Sequence, residues 1–260
     1  MNTEKELFDR AERLLGTAVM EAIAERSVIL FGVGGVGSWC AETLVRSGIR
    51  HLTLVDSDRV CASNVNRQLM ATTRTIGEVK VEALRRRLLD INPAADITAL
   101  QRAYDTDTAP SFGIERTDYV VDAIDSLENK AQLILHACST PAVFFSSMGA
   151  ALKMDPTRIQ VAEFWKVKGC PLGAALRRKF KKSGQFPAKK FKCVFSEELL
   201  PNRGLAPAAA TPDSGDSWSA RKAQINGSLM HITAIFGCML GGLVLQDIRQ
   251  KAEADRVPAT

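Results

Sequence analysis

Residues 28 to 38 read Val-Ile-Leu-Phe-Gly-Val-Gly-Gly-Val-Gly-Ser, an apolar run that passes directly into a glycine-rich stretch. A short apolar run closed by glycine reads as a buried strand, and the residues after the glycines read as a helix over 38 to 47. Gly32, Gly34 and Gly37 let the chain turn tightly, admit a phosphate without Cβ obstruction and pack the helix close to the strand. The N-terminus of that helix presents backbone N–H groups to anionic oxygens. A second apolar strand ends Leu52-Thr-Leu-Val-Asp56, about 20 residues beyond the glycines, where a carboxylate suits a ribose hydroxyl. The pairing predicts a nucleotide at Gly32, Gly34, Gly35, Gly37 and Ser38, with Asp56 beside it. The plainer alternative is a tight strand-to-helix turn that holds nothing.

The alternation continues past this unit. Strands are expected at 28–32, 51–55, 96–100, 118–124 and 142–146, helices at 38–47, 78–90 and 127–139, and a further strand over Arg158 to Phe164. Strands that alternate with crossover helices imply an α/β fold, a doubly wound, Rossmann-like and mostly parallel sheet covered on both faces. Residues 5 to 26 read as one amphipathic helical segment, with Leu7, Leu14, Leu15, Val19 and Ile23 at mostly helical spacing. The chain is thus read as one unit over 1–260: an N-terminal helical segment (1–27), a nucleotide-binding core (28–165), a basic insertion and loop (166–220), and a C-terminal core helix and tail (221–260). The Pro-, Gly-, Ala- and Ser-rich stretch 201–219 reads as a mobile loop.

A hydrophobic share of 46% with 24% charged residues suits a well-buried core in a 260-residue chain. The charged start (Glu4, Lys5, Glu6, Asp9, Arg10) lacks the pattern of a secretory leader, so a cytoplasmic protein is expected. Six cysteines with no Cys-x-x-Cys pair argue against a disulfide framework and a structural zinc site. The stretch 229–245 is apolar apart from His231 and Thr233. It is shorter than the ~20 apolar residues of a membrane span, which favours a buried helix over membrane association.

The residues after Asp56 carry more than a dehydrogenase needs. Asp58, Asn64, Arg67, Gln68 and Lys80 follow in order. Two cations beside a phosphate-binding turn repel each other unless polyphosphate charge lies between them, which suits a triphosphate. Asp125 follows the strand ending in Val121-Asp-Ala-Ile, at the carboxyl edge where open α/β sheets bind ligands, and suits magnesium held against phosphates. Each of Asp58, Arg67, Lys80 and Asp125, taken singly, is equally a surface charge or a salt-bridge partner.

Together the motifs Gly32-Val-Gly-Gly-Val-Gly-Ser38, Asp56-Ser-Asp58, Asn64-x-x-Arg67-Gln68, Gly77-x-x-Lys80 and Val121-Asp-Ala-Ile-Asp125 resemble the ThiF/MoeB-like adenylating enzymes, relatives of the ubiquitin-activating enzymes. The resemblance implies that ATP is bound, with Asp56 on ribose, Arg67 and Lys80 on the phosphates, Asn64 and Gln68 positioning the nucleotide, and Asp125 on Mg2+. It further implies a homodimer in which Arg13, within Ala11-Glu-Arg-Leu-Leu-Gly16, reaches the neighbouring subunit's ATP. Val36-Gly-Ser-Trp39, Asp155-Pro-Thr-Arg-Ile-Gln-Val161, Pro171-Leu-x-x-x-Leu176-Arg and Cys193-Val-Phe-Ser196 look like the branch that dehydrates threonylcarbamoyladenosine in tRNA. For that branch the resemblance implies ATP-dependent activation of the threonyl carboxylate followed by ring closure. A sulfur-mobilising cysteine desulfurase system is a possible partner on the same grounds. The alternative within the family is adenylation of the C-terminal glycine of a sulfur-carrier or ubiquitin-like protein. Two further classes are a nicotinamide oxidoreductase, opposed by Asn64, Arg67 and Lys80, and a non-catalytic nucleotide-gated RNA binder.

Charge separates these classes. Of the net +5, ten positive charges fall between Glu163 and Glu197 with no acidic residue among them, which leaves the rest of the chain net acidic. Arg177, Arg178, Lys179, Lys181, Lys182, Lys189, Lys190 and Lys192 are the candidate tRNA contacts, since phosphate contacts position a folded RNA through charge. The alternative is a solvated basic face. Phe180, Phe186 and Phe191 interleave these cations and either stack on bases or anchor the segment on the core. Cys193, next to Lys192, is either a thiol with a lowered pKa or a buried inert one.

Overall fold

The computed structural model describes residues 4–204 and 226–254. Seven strands form one sheet: β1 (Ser27–Phe31), β2 (His51–Val55), β3 (Asp96–Leu100), β4 (Tyr119–Asp122), β5 (Val143–Ser147), β6 (Ile159–Glu163) and β7 (Lys192–Ser196), in the order β3-β2-β1-β4-β5-β7-β6. All neighbours are parallel except β6, which runs antiparallel to β7. The helices are α1 (Glu4–Leu15), α2 (Thr17–Glu25), α3 (Gly37–Arg46), α4 (Lys80–Ile91), α5 (Leu127–Ser139), α6 (Pro171–Ser183) and α7 (Met230–Ala254).

Side chains alternate across β1, so Val28 and Leu30 enter one core while Ile29 and Phe31 enter the other. The first core packs Leu44 of α3, Leu84 of α4 and Phe236 of α7; the second packs Leu133 of α5 and Leu176 and Phe180 of α6. This is the doubly wound α/β, Rossmann-like arrangement expected from the alternation, and the strand order reverses between β1 and β4, where such sheets open a ligand crevice.

Two expectations change. The N-terminal segment is two helices, because Gly16 adopts φ 80° and closes α1 through its N–H to the Glu12 carbonyl at 2.7 Å. The region read as a basic insertion contributes a helix and a strand: β7 lies between β5 and β6, and α6 buries Leu172, Ala175, Leu176 and Phe180. The loop read over 201–219 lies outside the described residues from 205 onward.

The apolar stretch at 229–245 forms most of α7, which packs against α2, α3 and β5. Glycine makes the approach to α3 possible. A Cβ at Gly237 would sit 2.4 Å from the Val36 carbonyl oxygen, and one at Gly241 would sit 2.7 Å from Cγ2 of Thr43. A core helix, rather than a membrane-associated one, therefore accounts for the hydropathy.

Candidate active site

The turn between β1 and α3 is fixed by two of its glycines. Gly32 has φ 84°, and a Cβ there would lie 2.8 Å from the Ala123 carbonyl oxygen; a Cβ on Gly37 would lie 1.8 Å from the Gly32 oxygen. Gly34 differs, since a Cβ there would meet only the Gln68 amide nitrogen at 3.8 Å. Its missing side chain leaves open space. Gly35 lies under Arg67 and Thr233, whose atoms would be 3.2–3.3 Å from an added Cβ.

Four separate segments converge on this turn. The Asp56 carboxylate, just beyond β2, accepts from Val33 N at 2.8 Å and from Asp58 N at 2.9 Å, so it braces the turn as well as facing it. Asn64, buried in a short 3-10 turn, accepts from Cys61 N at 3.0 Å and so shapes the segment that carries Arg67 and Gln68. Arg67 donates to the Ser63 carbonyl and the Asn66 amide oxygen, both at 2.8 Å, while its own carbonyl accepts from Trp39 Nε1 at 3.1 Å. Gln68 is buried and its Oε1 has no hydrogen-bond partner. A buried amide oxygen without a partner costs about 1–3 kcal/mol, so this oxygen, on the amide whose nitrogen lies beside Gly34, fits a donor brought by a ligand.

Ser38 is fully buried beneath the turn, donating to the Gly34 carbonyl at 2.7 Å and accepting from Leu69 N at 3.2 Å. It ties the turn to the Arg67 segment rather than lying on the open face. Lys80, the first residue of α4, is also buried and donates to the Asp58 carboxylate at 2.8 Å. The expectation that only phosphate could offset the two neighbouring cations therefore fails for Lys80, whose charge Asp58 meets.

Asp125 lies in the loop between β4 and α5, exposed to solvent. That loop is pressed against Gly32 and bonded to β1 through Ala123 N to the Phe31 carbonyl at 2.8 Å. Its shape is set from below by Asp122 and Lys130, both with fully buried side chains 2.7 Å apart. Asp122 also accepts from Ile124 N at 2.9 Å and Ser146 Oγ at 2.7 Å, and Lys130 donates to the Ile124 carbonyl at 2.8 Å. Sequence reading passed over this pair. The available signal was Lys130 itself, a charge three residues after Leu127 and four before Ile134, on the apolar stripe of its helix.

Arg13 is not part of this cluster within one chain: on exposed α1 it pairs with Asp9 at 2.8 Å. The basic residues divide. Arg177 donates to the Phe164 carbonyl at 3.3 Å, Lys179 pairs with Glu128 at 2.6 Å, and Lys189 donates to the carbonyls of Thr140 and Ala142. Arg178, Lys181, Lys182, Lys190 and Lys192 are exposed. The Lys179–Glu128 pair sets α6 beside the first turn of α5, three residues past Asp125, so the basic helix borders the candidate site. Phe180 and Phe191 are core residues, 1% and 5% exposed, while Phe186 is at the surface. Cys193 is fully buried, and burial pushes its thiol well above the ordinary value, which rules out a ready nucleophile. No group of three or more His, Cys, Asp or Glu able to cage a metal occurs among the described residues.

The ThiF family model matches residues 8–258. A tRNA threonylcarbamoyladenosine dehydratase of Bacillus subtilis is 36% identical over 96% of this chain and 97% of its own length. Crystal structures of the Escherichia coli tRNA N6-threonylcarbamoyladenosine dehydratase in complex with ATP (31% identity, TM-score 0.83) and with AMP (32%, 0.81) superpose over 96% of both chains. With its glycine turn, its converging charged residues and a match spanning almost its whole length, the chain belongs to the ThiF family.

Proposed function

We propose that this protein is an ATP-dependent tRNA threonylcarbamoyladenosine dehydratase. The observation that carries the reading is the convergence of the segments bearing Asp56, Arg67 and Gln68, Lys80, and Asp125 on one open glycine turn at the carboxyl edge of the sheet. The near full-length likeness to dehydratases supports the substrate.

In this reading the triphosphate lies on the backbone N–H groups at the start of α3, with Gly34 leaving room and Gln68 Oε1 taking a donor from the nucleotide. Asp56 holds the ribose, and Arg67 and Lys80 face the phosphates, Lys80 exchanging part of its contact with Asp58. Asp125 would hold Mg2+, an ion that takes one or two carboxylates and otherwise phosphate and water. When bound it would neutralise charge on the departing pyrophosphate. The threonyl carboxylate attacks the α-phosphorus, the bond to pyrophosphate breaks, and an acyl-adenylate forms. The carbamoyl group of the same nucleoside then attacks the activated carbonyl, AMP leaves, and the product has lost one water overall. Ring closure within one molecule has a high effective concentration and needs no enzyme thiol.

The exposed cations of α6 and β7 give the tRNA backbone its positioning charge. A homodimer completes the site: α1 exposes Leu7 (43%) and Leu14 (82%) beside Arg13, apolar surface that a second copy would cover while bringing Arg13 to the partner's nucleotide. Sedimentation velocity tests the dimer, with a monomer at micromolar concentration refuting it. ATP–pyrophosphate exchange in the presence of the modified tRNA tests the adenylating site. Asp125→Ala is expected to abolish exchange with an unchanged melting temperature, and normal AMP formation by that variant would refute the assignment of Asp125.

A further inference from the structure

We infer that Trp165 and Phe186 form a stacking site for an unpaired base of the RNA substrate, an inference that rests on the RNA-modifying reading above. Five aromatic rings make a ladder from the core to the surface. Phe144 packs on Phe191 at 5.0 Å, Phe191 stacks on Phe164 at 5.0 Å and 17°, Phe164 meets Trp165 edge-on at 5.1 Å, and Trp165 lies 6.0 Å from Phe186. The inner three rings are buried, but Trp165 is 39% and Phe186 54% exposed.

Large rings left in solvent at the end of a packed ladder are held in place without being covered. The Glu163 carboxylate accepts from Trp165 N at 3.1 Å, and Phe164 is fixed from the far side by Phe180 at 5.8 Å. The rings therefore present π-faces at little entropic cost. Their surroundings select the partner. Lys166 and Lys168 follow Trp165 in sequence, and Lys181 and Lys182 lie in the last turn of α6 just before Phe186. These four make no side-chain hydrogen bond or ion pair among the described residues, whereas Arg177 and Lys179 of the same helix are committed to internal partners. Aromatic faces among uncommitted cations fit a single-stranded nucleic acid, whose bases stack while its phosphates meet the lysines. A duplex offers no base face, so the site selects a loop. That fits a loop of the proposed tRNA substrate, and the Lys179–Glu128 contact puts the helix near the proposed metal ligand.

The test compares full-length wild type with Trp165→Ala, Phe186→Ala and Trp165→Phe. The probes are a stem-loop RNA with an unpaired loop and a blunt-ended RNA duplex of equal nucleotide count, measured by fluorescence anisotropy across salt concentrations. Loss of one base stack should weaken stem-loop binding by about tenfold in each alanine variant. Duplex affinity, the slope of log K against log salt and the Kd for ATP should stay unchanged, and Trp165→Phe should restore most of the loss. Equal weakening on both RNAs, an unchanged stem-loop affinity, or loss of self-association in sedimentation would overturn the inference, the last by assigning the rings to a subunit contact. If wild type binds ATP but neither RNA, the RNA-modifying reading falls first, and the base site with it.

Discussion

Lys130 keeps its ammonium and Asp122 its carboxylate inside the protein with no exposed side-chain surface, joined to each other, to Ile124 and to Ser146. Two charges without water are tolerable only when every strong bond is made, and removing one partner leaves the other stranded at a cost of about 3–5 kcal/mol. Lys130→Met should therefore lower stability by that order, read from the urea midpoint. Asp122→Asn with Lys130→Met should recover part of it, because the remaining groups are neutral. A single variant as stable as wild type would show that the pair does not hold the Asp125 loop. Cys193 behaves in the opposite way, as a buried thiol with no task in the reaction. Cys193→Ala should keep AMP formation, and peptide mass spectrometry after iodoacetamide treatment of native protein should find Cys61 and Cys238, both exposed, modified before Cys193. Loss of AMP formation in Cys193→Ala would instead place that thiol in the chemistry.

At the scale of elements, α7 and α3 approach so closely that Gly237 admits no Cβ. Gly237→Ala forces the helices apart, and overpacking of this kind costs about 1–3 kcal/mol. The melting temperature should fall by several degrees; an unchanged value would mean that the helices slide without penalty. The joint between β1 and β4 carries a pH response. Burial raises the Asp118 carboxyl, but bonds from the Ser27 N–H and hydroxyl and from Arg26 outweigh it and leave the net value lowered. Glu42 is likewise lowered, its burial outweighed by Arg87 and Arg46. Both groups bind protons less tightly when folded, so their stabilisation is complete above the unfolded values of 3.8 and 4.5 and is lost as pH falls through the folded ones. Glu42→Gln should flatten the acid limb of stability against pH in urea melts, and an identical limb would remove Glu42 from the account.

The elements also show what a reader of the sequence could see. The strand and helix alternation from β1 to β5 was legible to within a residue or two at most boundaries, because each strand is a short apolar run bounded by turn residues. The β4 strand ends earlier than its hydrophobic run, at Asp122, since the chain there leaves the sheet for the loop against Gly32. The α6–β7 unit was hidden under its lysines. Leu172, Ala175, Leu176 and Phe180 recur at helical spacing, but the cations between them read as a charge run. For the site, the glycine turn and the nearness of Asp56, Arg67 and Gln68 to it were visible as motifs. The Lys80–Asp58 pair, the burial of Ser38 and the Asp122–Lys130 support depend on tertiary contacts that no local spacing encodes.

Over the whole molecule, the basic surface is one district of an otherwise net acidic chain. Arg178, Lys181, Lys182, Lys190 and Lys192 project from it, while Arg177, Lys179 and Lys189 spend their donors on the fold. Charge reversal at Lys181 and Lys182 should raise the apparent KM for tRNA and flatten its salt dependence by about one unit of slope per lost phosphate contact. An unchanged slope would return these lysines to solvent. The measurement that bears most directly on the central claim follows α-labelled ATP with the purified protein and magnesium. It compares tRNA carrying threonylcarbamoyladenosine with the same tRNA lacking the modification and weighs the nucleosides by mass spectrometry. The account requires AMP release and loss of one water from the nucleoside, both only on the modified tRNA. AMP formation with the modified nucleoside left unchanged would contradict it.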